Sequence, residues 1–239
     1  MSEQTILAID TATENCSVAL GYQGQIYLKS QVAPQKHANL VLGMIDELLQ
    51  EHHLERSNID AIGFGAGPGS FTGVRIAVSV AQGLGLGLQK EVFGVSDLKL
   101  LVANAMLLKG TPSNPCYGLG CIDARMGEVY IALYSYDGKE LKSVLSEQVL
   151  KPQDAWAQVQ VALGEHKDNL VVAGTGVSIL NEAASGALSA FMSDDMVLYP
   201  QADALIQCAQ VEGMRLQDPA EAEPLYCRNE VTWKKISQR

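Results

Sequence analysis

The sequence lacks the residue pairs from which metal and disulfide sites are usually built. None of its four histidines is followed by a second one four residues later, the spacing that lets two imidazoles on one helix face share a metal ion. The histidines are His37, His52, His53 and His166. The five cysteines form no Cys-x-x-Cys pair. We therefore predict no metal site, and cysteines that stay reduced.

Basic residues are scarce too, with 17 Lys and Arg against 27 Asp and Glu and a net charge of −10. A surface of that charge repels phosphates, so nucleic acid is expected to be bound only indirectly, through a partner that supplies the basic surface. The few basic residues after position 226 are interpreted as a solvated end. With no signal peptide, and with the longest uncharged run confined to residues 76–89, we expect a cytoplasmic protein without a membrane span.

The glycine-rich loop at residues 65–75, "GAGPGSFTGVR", matches none of the common motifs for phosphate binding or nucleophilic catalysis. No Gly-Lys-Ser/Thr follows at the P-loop offset, and Ser70 stands where a dinucleotide fingerprint has its third glycine. Ser70 also lies outside any Gly-x-Ser-x-Gly elbow. The loop follows an apolar strand and opens a helix, which leaves a tight turn and a ligand loop as alternatives.

Hydrophobic periodicity indicates an α/β protein with two similar halves. In the first half, strands at 5–9, 16–22 and 25–32 precede a helix at 38–53, a strand at 59–65, a helix at 72–88, a strand at 92–94 and a helix at 98–108. Residues 109–115 resemble a linker. Strands at 116–122, 128–136 and 140–149 follow, then a helix at 154–163, a strand at 170–173 and helices at 178–187 and 204–216. We predict domains at 1–108 and 109–239, the second smaller, with a cleft between them.

Asp10 ends the first predicted strand, and Asp123 ends the corresponding strand of the second half. In "DTAT", an aspartate with two hydroxyls can hold a magnesium-bound phosphate. The alternative is that Asp10 and Thr13 bond local backbone N–H groups and only close the turn. Spacing alone does not decide between the two.

The first two long helices are more apolar than one sheet face requires, and we predict that they form a subunit interface. The second helix carries small residues four apart, which allow another backbone to approach closely. Arg75, its lone charge, is either a satisfied cap or a polar contact at the boundary. The predicted interface residues are His37, Leu40, Val41, Met44, Ile45, Leu48, Val74, Ala77, Val78 and Ala81.

With these motifs in view, the chain resembles the TsaB (YeaZ) family of bacterial proteins, which serve threonylcarbamoyladenosine formation in tRNA. The resemblance rests on "ILAIDTAT" at 6–13, "GPGSFTGVR" at 67–75, "GVSDL" at 94–98 and "DARMGEVY" at 123–130, and it runs the length of the chain. It implies the actin-like ATPase fold, in which two ribonuclease-H-like halves hold a nucleotide between them.

The resemblance also implies positions for a nucleotide. Asp10, Thr11 and Thr13 match the phosphate-contacting hairpin, Asp123 the second phosphate loop, and Gly174 and Gly176 the adenine-side loop. Arg125 and Met126 stand where this fold prefers small residues, so we expect no ATP turnover, only weak binding of ATP or ADP, and no cofactor that the chain requires.

The partners implied by the resemblance are TsaD, the catalytic subunit, bound through the N-terminal helices, and TsaE, an ATPase that joins the complex. A homodimer through the same helices is expected when TsaD is absent. The leading hypothesis is a non-catalytic subunit that activates TsaD. The alternatives are a nucleotide hydrolase, a peptidase of the glycoprotease family, and a small-molecule kinase.

Overall fold

The computed structural model describes residues 4–108, 116–166 and 169–227. Its strands are β1 (Ile6–Asp10), β2 (Asn15–Tyr22), β3 (Gln25–Val32), β4 (Ala61–Gly67), β5 (Val92–Ser96), β6 (Cys116–Arg125), β7 (Glu128–Tyr136), β8 (Leu141–Leu150) and β9 (Leu170–Ala173). Its α-helices are α1 (His37–Glu51), α2 (Phe71–Leu88), α3 (Asp97–Leu108), α4 (Pro152–Leu163), α5 (Val177–Ala183) and α6 (Ala202–Glu212). Single 3₁₀ turns lie at Arg56–Asn58, Ser189–Phe191 and Pro219–Glu221.

Two mixed sheets confirm the predicted fold class. The first has the order β3-β2-β1-β4-β5, in which the first three strands are antiparallel and β4 and β5 run parallel to β1. The second has the order β8-β7-β6-β9, with β9 parallel to β6. The second sheet therefore repeats the first four strands of the first sheet, as the matching patterns of the two halves predict.

The helices and sheets alternate in layers. Leu7 and Ile9 of β1 pack under α1 and α2, whereas Ile6 and Ala8 point to the opposite face, toward α3 and α6. The helices α3 and α6 lie between the two sheets, and α4 and α5 cover the far side of the second sheet. Alternation along one strand thus divides the apolar core into separate layers.

The sheets exchange helices across the predicted domain boundary. Helix α6, from the second half of the chain, packs on β1 and β2, while α3, from the first half, packs on β6 and β9. One continuous apolar cluster joins these elements. The predicted linker at 109–115 lies outside the described residues, as does the basic segment after position 227. The division at residue 108 stays a prediction.

Two predicted helices end earlier than their apolar pattern does. Helix α5 stops at Ala183, because Ser185 and Gly186 both adopt positive φ angles of 53° and 83°. Helix α6 stops at Glu212, before Gly213 with a φ of 82°. A left-handed residue breaks the helical hydrogen-bond ladder whatever the hydrophobicity beyond it.

The glycine loop before α2 lies directly against the Asp10 hairpin. A Cβ on Gly69 would lie 2.4 Å from the carbonyl oxygen of Ala12, and one on Gly73 would lie 2.1 Å from that of Thr11. The amide of Ser70 donates to the Ala12 carbonyl at 2.7 Å, and the Ser70 hydroxyl caps α2 by accepting from Gly73 at 3.0 Å. The glycines are therefore required by a backbone-to-backbone contact, and the tight turn is the correct alternative for this loop.

Residues 213–227, which we call the C-terminal strap, return to the first sheet. Gln217 pairs with Val92 at the edge of β5, and the amide of Leu225 donates to the Ala66 carbonyl at the end of β4. Between these points, Gln82 of α2 donates to the Ala222 carbonyl at 3.0 Å. The strap, which is the last described part of the chain, is thus held against α2.

Helix α2 is long and apolar enough to cross a membrane, by length and composition alone, and within the described residues it alone meets that test. In the fold, one face of the helix packs against β4 and β1 and the other face is exposed.

We expect Gly73→Ala to lower the free energy of unfolding by about 2 kcal/mol or more, because the added methyl group meets a carbonyl oxygen of a neighbouring strand end. Gly83→Ala is the matched control, since it lies on the same helix with nothing within 4 Å of the new Cβ. It should raise stability by about 0.5–1 kcal/mol through helix propensity. Urea unfolding measures both, and equal effects would contradict the contact.

Candidate functional site

The Asp10 hairpin connects β1 to β2 and is closed by its own backbone. Asp10 Oδ1 accepts from the amide of Ala12 at 2.8 Å, and the Thr11 hydroxyl donates to the Gly73 carbonyl at 2.7 Å. Asp10, Thr11 and Thr13 are all buried in this arrangement, and the Thr13 hydroxyl has no hydrogen-bond partner among the described residues. The local-bonding alternative accounts for Asp10.

A second carboxyl group lies beside Asp10 and was given no role by the sequence. Asp97, the first residue of α3, accepts from the amide of Gly67 and lies fully buried next to Asp10. Gly65 provides the room, because a Cβ there would lie 2.6 Å from Asp97 Oδ1 and 3.0 Å from Asp10 Oδ1. The fold therefore holds two carboxyls against each other beneath the glycine loop.

A shared proton reconciles this pair with its burial. Asp10 Oδ2 and Asp97 Oδ1 receive no hydrogen bond from a donor among the described residues, so a proton held between them satisfies both. Burial raises the pKa of Asp10 to about 6. Burial, and then the charge of Asp10 and a hydrogen bond to it, raise the pKa of Asp97 well above its ordinary value. The pKa of both carboxyls is therefore raised, chiefly by burial, and the two lie close enough to share a proton.

The corresponding loop of the second half contains Arg125 where the fold prefers a small residue. The guanidinium of Arg125 lies 2.9 Å from Asp123 Oδ2 and 2.8 Å from Glu14 Oε1, so it bridges the β6–β7 turn to the end of the Asp10 hairpin. Arg125 and Met126 hold positive φ angles of 64° and 56° at this turn. The carboxylate of Asp123 is therefore already engaged by a cation of the same chain.

Gly174 and Gly176 lie next to this turn, and both are explained by packing. A Cβ on Gly174 would lie 2.1 Å from the carbonyl oxygen of Cys121, and one on Gly176 would lie 2.8 Å from Cys121 Sγ. The hydroxyl of Thr175 accepts from the amide of Asp123 at 3.2 Å. The fold thus brings the six predicted nucleotide residues to one junction between the sheets. Thr11 and Asp123 are engaged within the chain, whereas the buried hydroxyl of Thr13 has no hydrogen-bond partner among the described residues.

The predicted interface residues of α1 and α2 prove to be mostly core. Eight of the ten are buried against the first sheet within the chain, and Leu40 and Met44 are half-buried against the same cluster. The eight are His37, Val41, Ile45, Leu48, Val74, Ala77, Val78 and Ala81. Apart from Val41, which also borders a groove on the other side of the helices, these side chains are not available to a partner unless the core opens, because they pack against the sheet. This corrects the residues named, although both helices do have another, exposed face.

That exposed face contains a shallow apolar groove between α1 and α2. The groove has a volume of about 370 Å³, and Leu42 and Phe71 at its sides are 49 % and 60 % exposed. The other lining residues are Ala38, Val41, Thr72, Arg75, Ile76, Ser79 and Val80. The sequence pattern identified both helices. The residues that it assigned to an interface are offset by about one position around each helix from the residues that the structure leaves exposed.

Arg75 is the single charged residue among those that line the groove. It does not cap the N-terminus of α2, one of the two roles considered for it, because Ser70 makes that cap. The guanidinium carbon of Arg75 lies 3.4 Å from the centre of the Phe71 ring and 5.6 Å from that of Tyr226. Its Nε donates to the Tyr226 hydroxyl at 2.9 Å. Tyr226 belongs to the C-terminal strap, and no local pattern in the sequence connects it to residue 75.

We expect the Asp10–Asp97 pair to make the folded chain less stable as the pH rises. Both carboxyls bind their protons more tightly folded than unfolded, so stability falls from about pH 4 upward through the pKa of about 6 of Asp10 and beyond. Asp97→Asn keeps an acceptor for Gly67 and supplies an amide donor to Asp10. The variant should exceed the wild type by about 1–3 kcal/mol at pH 8 and by less at pH 5.

Urea unfolding at pH 5, 6.5 and 8 measures this difference. Asp154→Asn, which removes an exposed carboxylate in the first turn of α4, is the control and should keep the pH dependence of the wild type. Parallel pH profiles for the wild type and Asp97→Asn would show that the pair does not share a proton.

Comparison with known proteins gives relatives along the whole chain. A family model described as TsaD, tRNA N6-adenosine threonylcarbamoyltransferase, matches residues 28–236. The chain is 37 % identical to the tRNA threonylcarbamoyladenosine biosynthesis protein TsaB of Haemophilus influenzae, with 100 % of both chains covered. It is also 37 % identical to TsaB of Escherichia coli, with 97 % of each covered.

A solved structure agrees with these relatives. YeaZ from Pseudomonas aeruginosa is 37 % identical and superposes with a TM-score of 0.76, covering 93 % of this chain and 99 % of that one. The family resemblance inferred from "ILAIDTAT", "GPGSFTGVR" and "DARMGEVY" is therefore confirmed. The chain belongs to the TsaB (YeaZ) family of tRNA threonylcarbamoyladenosine biosynthesis proteins.

Proposed function

We propose that this chain is a non-catalytic subunit in the biosynthesis of threonylcarbamoyladenosine in tRNA, and that it binds and activates the transferase TsaD through the exposed face of α1 and α2. The observation that supports this most directly is the groove between these helices, with Leu42 and Phe71 exposed beside it. Exposed apolar grooves with few charges are typical of protein–protein contacts.

The comparisons support the choice of partner. The relatives are named for the same biosynthesis, and the family model that covers most of the chain is that of the transferase itself. A subunit with the fold of its catalytic partner can dock on it through the corresponding elements of both chains, in a pseudo-symmetric pair.

The state of the chain's own reactive groups supports a non-catalytic role. Asp10 and Asp97 lie buried beneath the glycine loop, and Asp123 is paired with Arg125. Burial raises the pKa of the Cys16 thiol to about 11 and that of Cys208 to about 12, so these thiols stay protonated and unreactive. Thr11 and Asp123, two of the nucleotide positions, are engaged in internal contacts, and on this proposal the chain requires no nucleotide of its own.

The wider assembly follows from the same proposal. TsaE joins the complex, tRNA is held by the partners because the chain has a net charge of −10, and the complex works in the cytoplasm. In the absence of TsaD, the same apolar face pairs two copies of this chain.

Peptidase or nucleotide hydrolase activity is the competing function. One solved relative, from Pseudomonas aeruginosa, is described as a protein with similarity to the peptidase YEAZ; it is 36 % identical with a TM-score of 0.77. On the present proposal that description reflects family history rather than an activity of this chain.

We expect Leu42→Asp to weaken binding to TsaD of the same organism at least tenfold, since it places a carboxylate in the apolar groove; tenfold corresponds to about 1.4 kcal/mol. Leu42 is half exposed, so the variant should fold. Met44 is a poorer choice, because its Sδ lies 3.8 Å from Cys16 Sγ in the core. Calorimetric titration, together with the threonylcarbamoyladenosine content of tRNA in cells, measures the effect.

Val161→Asp is the matched control, because Val161 is an apolar residue of α4 that is 84 % exposed and lies on the second sheet's side of the molecule. It should bind TsaD like the wild type. Equal affinities for the wild type and Leu42→Asp would place the interface elsewhere.

We expect the purified chain to hydrolyse neither ATP nor peptide substrates, because the acids at the sheet junction are buried or ion-paired. Phosphate release from ATP, assayed with the purified chain, tests this directly. Steady ATP turnover that Asp123→Ala abolishes and Asp154→Ala leaves intact would establish the hydrolase instead.

A further inference from the structure

Arg75 is held rigidly in the groove but carries no ionic partner. Its Nε is occupied by the Tyr226 hydroxyl, and its guanidinium lies on the Phe71 ring. Across residues 4–108, 116–166 and 169–227, no carboxylate lies within ion-pair distance of it, and neither terminal nitrogen has a hydrogen-bond acceptor. The terminal nitrogens of a positioned guanidinium are therefore left with open hydrogen-bonding capacity.

The acidic residues on the neighbouring helix α1 already form ion pairs with other residues. Asp46 of α1 pairs with Arg56 at 2.6 Å, and Glu47 pairs with Lys29 at 3.0 Å. Helix α2 contains no acidic residue, and Arg75 is its one charged residue. Within the part of the chain that the structure describes, this apolar face thus has a single cation and no counter-ion for it.

A partner that covers this face removes the Arg75 guanidinium from water, which weakens binding unless the partner supplies the counter-charge. Removing a guanidinium from water without a counter-charge costs several kcal/mol, whereas a carboxylate can accept two parallel hydrogen bonds from its terminal nitrogens. Stacking on Phe71 and the bond to Tyr226 restrict the side chain before any partner arrives, which lowers the entropy lost on docking.

We propose that Arg75 is the orienting contact of this surface, and that the partner surface it fits is an apolar helix face carrying one Asp or Glu, which the Arg75 guanidinium binds bidentately. The inference rests on the proposed function and adds to it the residue that fixes how the partner sits. Because Tyr226 holds the guanidinium, the Tyr226 end of the C-terminal strap is part of the docking surface.

A phosphate of RNA is the less fitting ligand for the same cation. Affinity for nucleic acid comes from several phosphate contacts at once, and this groove offers one cation on a chain with a net charge of −10. A single protein carboxylate can be bound by one cation.

The experiment titrates full-length wild-type and variant chains with TsaD of the same organism at two salt concentrations. Arg75→Met should weaken binding at least tenfold and reduce its salt dependence. Arg75→Lys keeps the charge but loses the planar guanidinium, so its affinity for TsaD should lie between those of the wild type and Arg75→Met. Tyr226→Phe keeps the ring and loses the bond to Nε, and it should weaken binding about threefold, as expected for one partly exposed hydrogen bond.

Arg215→Met is the matched control, because it removes one positive charge from the C-terminal strap at an exposed position outside the groove. It should bind as the wild type does. Circular dichroism melting of each variant confirms folding, and Arg75 is exposed, so its removal leaves the core intact.

The possible failures are distinguishable. If the wild type binds TsaD and Arg75→Met binds equally well, the orienting contact is overturned and the proposed function stands. If Arg75→Met keeps its affinity for TsaD but loses binding of tRNA to the complex in a filter assay, the cation serves RNA and the proposal is overturned. If the wild type does not bind TsaD, the proposed function fails and this inference fails with it.

Discussion

The fold depends on one close contact, in which the glycine loop lies directly on the backbone of the Asp10 hairpin. With Gly69 and Gly73 against the carbonyls of Ala12 and Thr11, no side chain fits between the two segments. The contact fixes where α2 begins, and thereby which face of α2 meets the sheet. It also takes up the hydroxyl of Thr11, one of the residues that the family resemblance assigned to a phosphate.

The same contact creates the electrostatic problem that Asp97 solves. Closing the loop over β1 buries Asp10, and a buried lone carboxylate is costly. A second carboxyl beside Asp10 offsets part of that cost, because the two groups can share one proton. On the other sheet, Arg125 neutralises Asp123 and Glu14 in a more exposed setting. The carboxyl groups at the junction between the sheets thus find their partners within the chain.

Most of the fold was predictable from sequence, because hydrophobic period and turn residues act locally. The pattern located β3 and β9 at their observed bounds. The site was less predictable. Asp97 meets Asp10, and Tyr226 meets Arg75, across 87 and 151 positions of sequence, and no period or motif encodes such meetings. The sequence pattern assigned Val74 to a subunit interface, whereas the structure packs it against the sheet, because α2 is apolar on both sides.

Because α2 is apolar on two sides, its exposed side needs an explanation separate from the packing of the core. A helix needs one apolar stripe to pack on a sheet, and Val74, Ala77, Val78 and Ala81 supply it. The second stripe leaves Phe71 and Leu86 exposed to water, although Phe71 lies against the Arg75 guanidinium and beside Tyr226. On the proposed function, a partner covers this stripe, and Arg75 gives that partner an orientation.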